Sequence, residues 1–178
     1  MFLICGMRSL ITFIGAGFHL PVLSIILELT AAIVFLAAGV LLLIKSGKAK
    51  QTMAILFFLM SAVLITGHII YLVHNVSRTD RIMIHVSCMF AGVGYAVLGA
   101  LLLAAKNGRK AAMKIWFLPF VFCLIGIVIF SYFNFYYTPE MRRPLISVLA
   151  YNLYNIARVL GILLTGLWLR KTAKKLIM

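Results

Sequence analysis

The sequence predicts an all-α fold: a polytopic integral membrane helical bundle of five transmembrane helices plus an N-terminal helix that is interfacial, re-entrant or a short sixth span. Three observations predict it. Hydrophobic residues make up 65% of the 178. Charged residues make up 11%, less than half of the roughly one quarter typical of soluble domains. Apolar runs long enough to cross a hydrocarbon core, which takes about 20 helical residues, recur between short polar segments. So few polar groups cannot cover a water-exposed surface, and a bilayer removes the need.

The N-terminal run comes first. Residues 9–44 are almost entirely apolar. As one helix they would extend about 54 Å at 1.5 Å per residue, against a core of about 30 Å. A break is expected at Gly15-Ala16-Gly17 and Pro21, because glycine loosens a helix and proline removes a donor. Residues 21–44 then make the first clear span. Arg8, in the middle of residues 2–18, favours an interfacial placement of that segment, with snorkelling as the alternative. No basic segment precedes the apolar run, so a cleaved signal peptide is not expected.

Four more spans follow at roughly 52–74, 82–105, 115–137 and 145–169. Polar punctuation separates them, and none alternates as a membrane strand would. Pro119 is expected to kink the span that holds it. The loops at 45–51 and 106–114 and the tail at 170–178 carry 3, 4 and 4 Lys/Arg. Those at 75–81 and 138–144 carry 2 each, with one acid each. The positive-inside rule puts the first group, and the C-terminus, in the cytoplasm of a plasma (inner) membrane. Trp116 and Trp168 fall near those cytoplasmic ends, where an aromatic belt belongs. The tail is too short to form a soluble output domain. In size and hydropathy, though in no motif, the chain is similar to the small substrate-binding subunits of bacterial vitamin transporters.

The net charge is +14. Its basic residues lie in short clusters between apolar runs with no nucleic-acid-reading motif, so no nucleic acid is expected as a partner. Anionic lipid head groups at the cytoplasmic face are the expected partner, with a partner membrane or cytoplasmic subunit as another. Cys5, Cys88 and Cys123 show no CxxC or Cys/His ligand spacing and read as buried small apolar residues. His19 and His74 read as interfacial, and the Asn75-Val-Ser77 sequon carries no weight. No metal or cofactor is expected, and no HExxH, GxSxG or P-loop motif is present.

Polar residues within the spans carry the functional reading, since each is costly in hydrocarbon and needs a partner or a wet cavity. Glu28 lies about 12 Å deep and Arg158 about 20 Å at 1.5 Å per residue, a difference the long arginine can bridge, so the two read either as a ligand, ion or proton site or as a buried pair that fixes helix packing. On the last span Ser147, Tyr151, Tyr154, Arg158, Gly161 and Thr165 share a stripe, flanked by Asn155. Ser61, His68, Tyr71 and Asn75 form a second stripe; His85, Cys88, Gly92, Tyr95 and Gly99 form a third. Together Glu28, His68, Tyr71, His85, Asn134, Tyr151, Asn155 and Arg158 are expected to line one polar pocket in the outer half. The leading function is then a non-enzymatic module binding a small solute or ion, as a transporter subunit or sensor partner. The alternatives are an intramembrane lipid-modifying enzyme, with Glu28 and His68 as acid and base and Arg158 on a head group; a haem or metal redox protein using His68 and His85; and an accessory protein whose polar stripes only pack helices.

Overall fold

A computed structural model describes residues 1–16, 22–44, 47–74, 79–106, 114–133 and 145–175. Its six helices are α1 (Phe2–Ala16), α2 (Val22–Leu41), α3 (Gly47–His74), α4 (Thr79–Lys106), α5 (Leu118–Ser131) and α6 (Leu145–Lys175). There is no strand among the described residues. Windows in α2, α3, α4 and α6 are long and apolar enough to cross a membrane, while α1 and α5 are apolar but shorter. The long N-terminal run breaks after Ala16, next to Gly15; Gly17 and Pro21 lie outside the described residues.

Each helix packs on the next, and α6 closes the circle against α1 while also touching α4. Helices consecutive in the chain alternate in direction, and α1 and α6 run antiparallel as well. Gly6 meets Leu36 while Gly39 meets Leu3. His68 meets His85 while Phe57 meets Tyr95. Arg8 meets Tyr154 while Phe2 meets Gly161. The N-terminal helix is therefore a member of the bundle wall, packed against α2 and α6, and does not lie apart from it. Phe2 explains why: it is 2% exposed and stacks in the bundle centre.

That centre is a cycle of four rings from four helices. Phe2 and Phe35 stack with centroids 5.9 Å apart, and Phe57 and Tyr95 do likewise at 5.9 Å. Phe2–Phe57 at 5.6 Å and Phe35–Tyr95 at 5.8 Å close the cycle with tilted contacts. Offset and tilted arrangements suit the ring quadrupoles and add about 0.5–1.5 kcal/mol per pair beyond area burial. The outside is inverted relative to a soluble protein. Ile11, Ile14, Val73 and Leu153 are each more than 60% exposed, as lipid-facing side chains must be.

Pro119 does not kink α5. It sits in the first turn, after Phe117 at the N-cap, where no amide proton is needed. One glycine sets the spacing next door. A Cβ on Gly126 would stand 2.5 Å from the Ser87 carbonyl oxygen of α4. Gly126→Ala must push α4 and α5 apart, and overpacking of this kind costs about 1–3 kcal/mol. Thermal unfolding of the variant should show a lower midpoint; an unchanged midpoint would mean the two backbones are not in contact there.

Candidate functional site

Helix positions fix a polar layer. At 1.5 Å per residue, Arg8, Glu28 and Tyr154 each stand about 10 Å along their helices from Phe2, Phe35 and Gly161 in the aromatic layer. Because the helices alternate, all three move toward the same end, so they share one level. Ser87 and Cys88 of α4 stand on the same side of Tyr95. His68 lies about 16 Å from Phe57, roughly one turn farther out. The polar residues thus form two clusters, one above the other.

In the deeper cluster Glu28 pairs with Arg8, with Arg8 Nη1 donating to Glu28 Oε1 at 3.3 Å. The expected partner was Arg158, and the reason for the change is topological. Helix α1 packs on both α2 and α6 and stands between them, so its own arginine reaches Glu28 first. Arg8 also lies over the Tyr154 ring, 4.4 Å from its centroid, and Arg158 stands 5.8 Å from the same centroid. Glu28 and Arg158 are therefore linked through Arg8 and Tyr154. Both guanidiniums stand against one ring and use the cation–π attraction, which strengthens away from water.

The inward stripe of α6 is centred differently from the sequence reading. Asn155, Val159, Ile162, Thr165 and Leu169 are buried, while Leu153, Ile156, Leu160, Leu164 and Leu167 are exposed. Asn155, expected at the flank, is 1% exposed. Neither its amide nitrogen nor its oxygen has a hydrogen-bond partner among the described residues. Thr165, by contrast, donates back to the Gly161 carbonyl at 2.8 Å, and Gly161 packs on Phe2. The lower half of the stripe is therefore packing, and polar chemistry concentrates above it.

There Asn155 and Arg158 line a cavity of about 40 Å³ with Ser87, Cys88, Gly126 and Phe130. Leu64, Ala91 and Ile127 complete the walls. The Ser87 hydroxyl is committed to the Ile84 carbonyl at 2.6 Å. Cys5 and Cys123 are buried, as expected of small apolar residues, but Cys88 is half-buried and faces this cavity.

The outer cluster holds His68, His85 and Tyr71. Nδ1 of His68 and Nδ1 of His85 are 2.8 Å apart, one donating and the other accepting. The Tyr71 ring stacks on His85 at 4.3 Å. Among the described residues no group of three or more His, Cys, Asp or Glu comes together that could hold a metal ion. Glu28 and His68 stand in different clusters, Glu28 beside Arg8 and His68 beside His85.

Of the eight residues expected to line one pocket, Asn155 and Arg158 line the cavity. Glu28 joins the adjoining ion pair, and His68, Tyr71 and His85 form the separate outer cluster. Asn134, the side chain of Tyr151, His19, the side chains of His74 and Ser147, and the Asn75–Ser77 sequon lie outside the described residues. Sequence reasoning missed Arg8 and Cys88 as members of the polar layer. The available signal for Arg8 was that it and Glu28 fall at similar distances from the Gly15–Pro21 break, as two arms of a hairpin do.

At the other end Lys50 lies over Trp168 at 5.3 Å, and Arg170 over Trp116 at 5.6 Å. Both tryptophans thus sit among basic residues. An inverted, lipid-facing exterior with an ion pair and a polar cavity inside defines the chain as an α-helical multi-pass membrane protein. Searches against protein-family models, curated proteins and solved structures found no match.

Proposed function

We propose that this protein is a non-enzymatic binding module of a plasma (inner) membrane, with its C-terminus in the cytoplasm, that takes a small solute or ion from the outer side as a transporter subunit or sensor partner. One observation carries the reading: a fully buried amide, Asn155, with both polar atoms unsatisfied, opens into a cavity also lined by Arg158. Leaving such a group unmade costs about 1–3 kcal/mol, which packing alone does not repay and a ligand does. The basic end, with Lys50 and Arg170 over their tryptophans, would lie against anionic head groups or a partner subunit.

Two measurements test it. Asn155→Leu replaces an unsatisfied amide by an apolar group, so the ligand-free variant should unfold about 1–2 kcal/mol harder than the native chain. Cys88, on the cavity wall, should react with a small methanethiosulfonate reagent added to the outside of intact cells, with Cys88→Ala as the blank. A destabilised Asn155→Leu protein together with an unreactive Cys88 would reduce the cavity to a packing defect.

A further inference from the structure

We infer that the cavity between α4, α5 and α6 takes a small uncharged molecule of the primary amide or urea class, held by the side-chain amide of Asn155. The inference rests on the reading of that cavity as a binding site and names its ligand chemistry. Size comes first. A single water needs roughly 10–15 Å³ by the measure that gives this cavity about 40 Å³. The space therefore holds about three or four water-sized groups, the bulk of formamide, acetamide or urea. Sugars, amino acids and nucleotides are too large.

Asn155 decides the class. It is 1% exposed, and both its amide nitrogen and its oxygen lack a hydrogen-bond partner among the described residues. The nitrogen donates and the oxygen accepts, so a ligand that satisfies both must accept at one atom and donate at another. A carboxylate, a halide or a ketone has no proton for the oxygen. A cation has no lone pair for the nitrogen. A single hydroxyl serves one end of the amide and leaves the other. A primary amide or urea carries N–H and C=O side by side in one plane, and so closes two hydrogen bonds with Asn155 at once. The neighbouring Ser87 hydroxyl already donates to the Ile84 carbonyl and does not serve the Asn155 oxygen. The walls of Leu64, Ala91, Ile127 and Phe130 are apolar. They strengthen hydrogen bonds made inside and favour an uncharged ligand over an ion, whose desolvation costs far more. Arg158 forms part of the wall, and the recognition does not depend on its partners.

Protection of Cys88 tests this. The thiol lies on the cavity wall, so a bound molecule must slow its reaction with the methanethiosulfonate reagent in the purified full-length protein in nanodiscs. Urea, acetamide, acetone, acetate and guanidinium are trigonal molecules with the same number of heavy atoms, and they differ in donors, acceptors and charge. They are compared at equal, non-denaturing concentration and at fixed pH and ionic strength. Urea and acetamide should slow labelling about twofold when present at their dissociation constant, because half the sites are then filled. Acetone, acetate and guanidinium should leave the rate unchanged. Asn155→Leu should label at the same rate with and without acetamide. Should that variant fail to fold, the ranking of the solutes on the native chain decides alone. The inference is overturned if acetone, acetate or guanidinium protects as well as acetamide, if no solute protects, or if Asn155→Leu keeps the protection. A reactive Cys88 that no solute protects would retain the binding module and reject only the amide ligand; an unreactive Cys88 would reject both.

Discussion

Glu28→Gln lowers the unfolding midpoint sharply, and adding Arg8→Met to the same chain restores most of the loss. The single change strips the charge from a carboxylate that Arg8 contacts at 3.3 Å and leaves a guanidinium on the α1–α2 seam. Where that guanidinium is at hydrocarbon depth, removing its counter-ion costs about 3 kcal/mol. Were the pair surrounded by water, the cost would be under about 1 kcal/mol. The size of the effect thus decides which solvent the pair sees. About 3 kcal/mol corresponds to roughly 6–12 °C in a chain of this length. Tyr154, whose ring holds Arg8 at 4.4 Å, keeps the loss from being larger. The double variant removes both charges and should lie within about 1 kcal/mol of the native chain, because replacing a whole pair by apolar groups is often neutral. A four-protein cycle in detergent or nanodiscs measures the coupling. A Glu28→Gln midpoint equal to the native one would mean that the pair contributes nothing and that α1 is held by its apolar packing.

Tyr95→Ala is the second large effect, and Tyr95→Phe is its control. Tyr95 is fully buried and contacts Phe35 and Phe57 within the four-ring cycle. Truncating a central aromatic ring leaves a cavity that the stacked neighbours cannot fill, at about 3–5 kcal/mol. Its hydroxyl, however, has no hydrogen-bond partner among the described residues. Tyr95→Phe removes an unsatisfied polar atom and keeps the ring, so stability should hold or rise by about 1 kcal/mol. Chemical or thermal unfolding of both variants separates the contributions. A Tyr95→Phe protein as unstable as Tyr95→Ala would assign the hydroxyl an essential bond and overturn the packing account of this layer.

The helical bundle was legible in the chain because its signal is one-dimensional. Apolar runs bounded by Lys45–Lys50, Lys106–Lys110 and Arg170–Lys175 state that segments are helical and roughly where they stop. The chain break near Gly15 followed from length against bilayer thickness. Depth was also readable, since 1.5 Å per residue places Glu28, His68 and Arg158 along their helices. Azimuth was legible only in part. The α6 stripe reading was off by a fraction of a turn, which moved Asn155 from the flank to the centre. Several side chains of mixed polarity fit more than one stripe at 100° per residue.

What the sequence by itself determined is the class of protein, the polar side chains that need shelter from lipid, and the level at which each stands. What only the tertiary structure decided is who meets whom. Closing the ring put α1 between α2 and α6, gave Glu28 to Arg8, joined His68 to His85, and left Asn155 with Arg158 around a small cavity. The physical reason is that hydropathy acts on each helix separately, whereas pairing depends on the order of helices around the bundle. That order is set by close backbone approaches, such as Gly6 on Leu36 and Gly126 on Ser87, between residues far apart in the chain.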